Sequence, residues 1–283
     1  MVTLKDYEYH VKPDWCPGCG NFSQWTAIKG ALVELGIEPH NVVIVSGIGC
    51  SSNMPEYIRA YGFHGLHGRP LPVASGIKFA NSKLTVIAYG GDGDGYYEGL
   101  KHLYHTAKRN VDVKYIVSDN EVFGLTTGQA SPTAPLGFVS KTTPPPEGSL
   151  EIPVNPLTLA LTAGATFVAR GYSGEIKHLQ YLIVEALKHK GFALIDVLSP
   201  CVTWNKIATY EYYKERVYKL QGNDMTNFDN AYKLATESGD KIPIGIFYKV
   251  ERPTYNDIDP VLKQGSLTEK NVEIKKDILE EFY

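Results

Sequence analysis

The 283-residue chain is 43% hydrophobic and 21% charged, the balance of a soluble globular protein and not of a disordered one. Its net charge of −3 supplies no electrostatic footprint for nucleic acid or an anionic membrane. The start, Met1 to Glu8, lacks the apolar core of a signal peptide, and no apolar run approaches the ~20 residues that span a bilayer, so a cytoplasmic protein is expected.

In chain order, Asn21 can cap a helix over 22–35 that Gly36 closes. Val42–Ser46 is a continuous β-branched run, as expected of a strand covered on both faces in a parallel sheet. Residues 50–72, rich in Gly, Pro and His, read as a functional loop, and a small-residue helix follows over 73–81. Strands are expected at 84–89 and 113–118, with a helix over 95–109 between them. The stretch 121–153, containing Pro144, Pro145 and Pro146, reads as a long loop of the kind that is functional or mobile. Asn155 and Pro156 open a helix to 163. A short strand at 166–169 precedes a helix over 173–189 with an apolar stripe of Ile176, Leu179, Leu182, Ile183, Ala186 and Leu187. Another strand covers 192–198.

Past 205 the composition shifts toward Tyr, Lys and Glu, with helices over 208–219 and 227–237, a strand near 243–248 and a polar tail. The final residues read as a docking arm or a frayed end. The tyrosines 210, 212, 213 and 218 read as packing in preference to a partner surface. Alternating strands and helices predict an α/β fold, a mostly parallel sheet with helices on both faces. The expected organisation is an α/β domain over 1–205 and a C-terminal extension over 206–283 that contacts another subunit.

The chemically capable residues gather at one sheet edge. Cys50, Asp92, Asn120 and Cys201 each follow a predicted strand, and Cys16 and Cys19 precede the helix that starts at the same edge. In open α/β sheets that edge holds the ligand crevice. Asp92 and Asn120 are separated by one crossover helix and one strand, which puts them at neighbouring strand ends. A carboxylate, an amide oxygen and a backbone carbonyl suit magnesium, a hard cation that shares its remaining positions with phosphate and water. The glycines of Gly90-Gly91-Asp92-Gly93-Asp94 let backbone N–H groups approach a diphosphate, and the next helix points its N-terminus at the anion. A turn shaped only by Gly and Asp is the plainer alternative. A calcium loop starting at Asp92 fails, because its sixth position is Tyr97 and its twelfth Leu103. The four cysteines, with one Cys-x-x-Cys pair, point to a metal or redox site in a reducing compartment.

The Gly-Asp-Gly segment followed by Asn120 resembles the thiamine-diphosphate motif. Trp15-Cys16-Pro17-Gly18-Cys19-Gly20, Ser46-Gly47-Ile48-Gly49-Cys50-Ser51, Leu66-His67-Gly68-Arg69 and the run from Gly124 to Thr133 resemble the β subunit of archaeal-type 2-oxoacid:ferredoxin oxidoreductases. The resemblance covers residues 12–205 and is weaker beyond. It implies Asp92 and Asn120 as side-chain magnesium ligands and Val122 as a carbonyl ligand. Gly93 and Asp94 would contact the diphosphate, and Ile48, Gly49, Cys50, Ser51, His67, Gly124 and Leu125 would line the cofactor. Cys16, Cys19, Cys50 and Cys201 would hold one 4Fe–4S cluster.

The implied reaction is the coenzyme A-dependent oxidative decarboxylation of a 2-oxoacid such as pyruvate or 2-oxoglutarate, with electrons leaving through the cluster to ferredoxin. The activating glutamate would come from a large α (or fused γ–α) partner subunit. Some members carry Lys where this chain has Asn53 and Thr127, so a weaker preference for 2-oxoglutarate and better use of pyruvate or other short 2-oxoacids is expected. Two rivals stand: a non-oxidative thiamine-dependent decarboxylase or synthase subunit, and a zinc-stabilised binding subunit. The cysteines disfavour the first. A thioredoxin-like Cys-x-x-Cys would leave Cys50 and Cys201 unexplained, and structural zinc prefers two local pairs where only one exists.

Overall fold

A computed structural model of the chain describes residues 1–270. The elements in chain order are α1 (Asn21–Glu34), β1 (Val42–Ser46), β2 (Tyr61–His64), α2 (Pro70–Ala80), β3 (Thr85–Gly91), α3 (Leu100–Lys108), β4 (Lys114–Asp119), β5 (Val122–Phe123), β6 (Gln129–Ala130), α4 (Pro156–Thr162) and β7 (Phe167–Tyr172). They continue with α5 (Ile176–Lys188), β8 (Ala193–Leu198), α6 (Tyr210–Arg216), β9 (Val217–Lys219), α7 (Phe228–Ala235), β10 (Ile242–Lys249) and α8 (Tyr255–Ile258).

One eight-stranded sheet runs in the order β2-β1-β3-β4-β8-β7-β10-β9. Every pairing from β2 to β7 is parallel, and only the β7–β10 pairing is antiparallel. Parallel strands need crossovers, and helices supply them on both faces. One core layer joins α1 and α5 to the sheet through residues such as Ile28, Leu32, Leu179 and Leu182. The other joins α2, α3, α4 and α7 through Leu71, Leu103, Leu161 and Ala231. Strands β1, β4, β7 and β8 are buried at every position, which is why their sequences are near-continuous apolar runs.

Several expected boundaries move. Asn21 is not a cap: Gly20 holds that position, and the buried Asn21 side chain accepts a hydrogen bond from Ser118 Oγ (2.9 Å). Inside the expected loop 50–72 lies β2, an exposed edge strand whose neighbouring Gly and Pro hide it in the sequence. The helix expected from 73 starts at Pro70, whose fixed φ suits a first helical turn. The helix expected over 95–109 divides: its start belongs to a π-helical turn, Gly93–Glu98, broken from α3 at Gly99. The end of the helix expected over 208–219 is instead β9, which extends the sheet.

The described part of the extension adds β9 and β10 to the main sheet. A small cluster beneath it contains Tyr172, Leu198, Tyr213 and Ile244, with Tyr210 and Tyr212 packed against it, as the packing reading expects for these three tyrosines of the run, while Tyr218 lies outside it and donates to Glu237 (2.6 Å). The final residues, 271–283, expected as a docking arm or frayed end, lie outside the described residues. Among the described residues no helix is long and apolar enough to cross a membrane.

Candidate functional site

The sheet register brings four strand ends level. Ser46 pairs with Tyr89, Gly91 with Ser118, and Asp119 with Leu198. The chain leaves β1 toward Cys50, β3 into Asp92, β4 into Asn120 and β8 toward Cys201. The strand order reverses at β1, which sits between β2 and β3. The crevice at that reversal is where open α/β sheets bind ligands.

Asp94 closes this crevice from within. Its carboxylate accepts the N–H of Ile48 (2.9 Å) and the N–H of Gly68 (2.8 Å), and its side chain is fully buried. His67 Nδ1 stands 3.0 Å from the same oxygen, off the line that a hydrogen bond requires. The other oxygen, Oδ2, is buried without a partner and lies against Gly47, where any Cβ would collide with it. Burial pushes the Asp94 carboxyl up, and the two N–H groups and His67 pull against that shift. What this turn leaves for an anion is its backbone, because the first N–H groups of a helical turn have no helical acceptor.

Asp92 is 1% exposed. Its Oδ2 accepts from Glu121 N (3.0 Å), Ser131 Oγ (2.5 Å) and Thr133 Oγ1 (2.7 Å). Thr133 Oγ1 is also 2.7 Å from Asp119 Oδ1. Its one hydroxyl proton can serve only one of these two carboxylates at a time. Burial, reinforced by Asp196, Asp92 and Glu121, raises Asp119 well above the ordinary carboxylate range. Asp196 itself is held by Tyr96 OH (2.9 Å) and Arg170 Nε (3.3 Å). Asn120 Oδ1 accepts the Val122 N–H (3.0 Å), and Asn205 Nδ2 donates to the Asn120 carbonyl (3.0 Å). Glu121, in the left-handed region at φ 62°, is pushed up to about 7 by burial against the donors Asn205 and Tyr213.

The four cysteines are free and line one cavity of about 380 Å³. Asn120, Gly124, Leu125, Asn53, Thr127, Asp14 and Trp204 share its wall. A side chain at Gly124 would stand 3.5 Å from Cys50 Sγ and 3.9 Å from Cys201 Sγ, so the loop after β5 runs directly past two of the sulfurs. Trp15 Nε1 donates to the Cys50 carbonyl (2.6 Å) and fixes the loop after β1. Burial pushes the Cys19 thiol up to about 12, with the other three thiols adding to the shift, and raises Cys50 as well. Among the described residues no three His, Cys, Asp or Glu side chains close on a single ion.

The sequence-derived residues thus fall into two adjoining sets. Ile48, Asp94 and His67 meet in the β1–β3 crevice, with Gly93 opening the turn beside Phe123 and Ser51 buried against Gly91. The four cysteines, Asn53, Asn120, Gly124, Leu125 and Thr127 meet in the cavity, and the loop after β1 runs from Ile48 in the first set to Cys50 in the second. Asp92, Gly49 and Val122 are not part of the cavity wall. Sequence reasoning missed Ser131, Thr133, Asp119, Asn205 and Trp204. Ser131 and Thr133 stood in a motif already singled out, without a contact to give them a role.

Two family models match the chain. One is the thiamine pyrophosphate enzyme, C-terminal TPP binding domain, over residues 47–197; the other is the C-terminal part of the pyruvate ferredoxin oxidoreductase beta subunit, over 201–264. The 2-oxoacid:ferredoxin oxidoreductase subunit beta of Saccharolobus solfataricus is 49% identical over 252 residues, covering 84% of this chain and 82% of the relative. The chain belongs to this family of β subunits. The 2-oxoglutarate oxidoreductase subunit KorB of Mycobacterium tuberculosis is a more distant member, 35% identical over 89% of this chain and 79% of that one. Among solved structures, the 2-oxoglutarate:ferredoxin oxidoreductase of Magnetococcus marinus, with 2-oxoglutarate, coenzyme A and succinyl-CoA bound, superimposes with a TM-score of 0.91 at 39% identity. That match covers 99% of this chain and 96% of the other. As a β subunit of such an oxidoreductase, the chain carries a thiamine-diphosphate domain and works with an α partner.

Proposed function

We propose that this β subunit binds the magnesium–diphosphate end of thiamine diphosphate and one 4Fe–4S cluster, and serves the coenzyme A-dependent oxidative decarboxylation of 2-oxoacids with ferredoxin as acceptor. The observation that carries this reading is the cavity shared by Asn120 and all four cysteines, which come from distant places in the chain. An oxygen donor suited to magnesium and a set of thiols suited to iron on one wall support a reading in which the two groups lie side by side. A cubane takes four thiolates on separate irons, and four free thiols around one cavity fit that better than a single zinc ion.

Asp92, Asn120 and the Val122 carbonyl would supply oxygens to magnesium, and the backbone of Gly93 and Asp94 would face the diphosphate. Ile48, Gly49, Cys50, Ser51, His67, Gly124 and Leu125 would line the cofactor. Bound thiamine diphosphate would supply the decarboxylation chemistry, and the cluster one-electron transfer. The activating glutamate would belong to the α partner, so turnover by the β chain alone would refute the assignment.

Asn53 and Thr127 line the cavity beside Asp14, and among the described residues its wall carries no Lys or Arg. A second carboxylate on the substrate finds no countercharge on that wall. Pyruvate and other short 2-oxoacids should therefore be used better, relative to 2-oxoglutarate, than in relatives with Lys at those positions. A kcat/KM higher for 2-oxoglutarate than for pyruvate would reject this preference.

The deciding experiment purifies the chain with its α partner. Iron and sulfide near about four per β chain are expected, and a 2-oxoacid with coenzyme A should bleach the visible absorbance. Cys201→Ala should lose that absorbance. Zinc in place of iron, or unchanged iron in the variant, would overturn the cluster assignment.

A further inference from the structure

The three hydrogen bonds that Asp92 accepts from Glu121, Ser131 and Thr133 all fall on Oδ2. Two of the donors are hydroxyls, and their residues are 7% and 8% exposed. Ser131 Oγ and Thr133 Oγ1 are 3.1 Å apart. Their segment is pinned by backbone bonds on either side: Ser131 N to Glu121 O (3.3 Å), Ala134 N to Ser131 O (3.0 Å) and Val154 N to Pro132 O (2.7 Å). The hydroxyls are therefore not free to follow the carboxylate; the carboxylate must sit where they hold it.

We propose that Ser131 and Thr133 are positioning residues that make Asp92 a one-oxygen ligand and so tune the metal site for magnesium over calcium. This rests on the proposed magnesium–diphosphate site. Three donors occupy one carboxylate oxygen and leave the other for a cation. A carboxylate held this way cannot swing to offer both oxygens. Magnesium demands near-ideal octahedral geometry with short bonds, whereas the larger calcium accepts two-oxygen carboxylates and irregular shells. Releasing the carboxylate should harm magnesium binding more than calcium binding. Partners of this kind around a metal ligand are worth roughly 10–100-fold in metal affinity.

The test uses the complex with the α partner, depleted of metal by chelation. Thiamine diphosphate binding is followed by quenching of protein fluorescence while magnesium or calcium is titrated. Ser131→Ala should raise the apparent magnesium Kd about 10–100-fold and the calcium Kd by much less, so that the preference for magnesium shrinks. Ser131→Thr, which keeps the hydroxyl, should restore it. Thr133→Val should act the same way as Ser131→Ala. If Thr133→Val does not fold, because it also strips Asp119 of its partner, Ser131→Ala decides. Unchanged magnesium affinity in Ser131→Ala, or equal weakening for both ions, would overturn the proposal. Metal-independent cofactor binding in the unaltered protein would instead refute the magnesium–diphosphate site itself.

Discussion

Replacing Asp94 separates two roles that a second acid in this turn could have. In the structure its carboxylate ties the loop after β1 and the loop before α2 to the turn after β3, through the N–H groups of Ile48 and Gly68. Asp94→Ala leaves the Gly68 N–H buried and unpaired, at a cost of about 1–3 kcal/mol. Ile48 is exposed, so water can reach its N–H and that loss is smaller. Removing a buried carboxylate whose pKa is already raised gives some of this back. The net loss is roughly 2 kcal/mol, which for a chain of this length is roughly 3–4 °C in Tm.

The assay is thermal unfolding of the metal-free chain by circular dichroism, with hydrogen exchange read at Ile48 and Gly68. Both amides should lose protection while the β3 amides keep theirs. Cofactor binding in the complex with the α partner gives a second reading of opposite sign. If the carboxylate faced the diphosphate, removing its charge would tighten binding; if it positions the loops, Asp94→Asn weakens binding. Unchanged exchange at both amides together with tighter binding would refute the positioning role.

Two further outcomes follow from the same site. Burial raises the Glu121 carboxyl from 4.5 to about 7, so the stability this group contributes is fully present below its unfolded pKa of 4.5 and is lost as pH climbs through 7. Glu121→Gln stays neutral, so its Tm relative to the unaltered metal-free chain should rise between pH 5 and pH 8, by up to about 3 kcal/mol of stability; a pH-independent difference would contradict the shift. At Gly93, any Cβ would overlap the Phe123 ring. Gly93→Ala should cost about 1–3 kcal/mol by overpacking, and Phe123→Ala in the same chain should remove most of that cost. An additive double-mutant cycle in urea unfolding would rule the clash out.

The sequence shows most clearly what is buried on both sides. Val42–Ser46 and the strand after Lys190 are apolar at nearly every position, and their boundaries differ from expectation by a residue at most. β2 escapes because all four of its residues are exposed, so neither burial nor alternation marks it. The turn Gly93–Glu98 is read as helical only from 95 on, because its two glycines weaken the helical pattern while β3 and α3 hold it in a helical path. In the site, strand ends could be read, and with them Cys50, Asp92, Asn120 and Cys201. Ser131 and Thr133 could not, since their roles depend on a carboxylate 39 and 41 residues away. A hydroxyl carries no sign of its partner until the loop is folded.

The short loop after β1 is fastened at two points: Ile48 N to Asp94 and the Cys50 carbonyl to Trp15, whose ring is itself wedged edge-on against Phe22 and Tyr57. Two residues of chain reach at most about 7 Å. The crevice anchored at Ile48 and the sulfur of Cys50 therefore sit on a single clamped strut. Hinge motion of the whole chain or docking of a partner carries the two backbone anchors together, and covalent geometry caps how far apart they can be drawn.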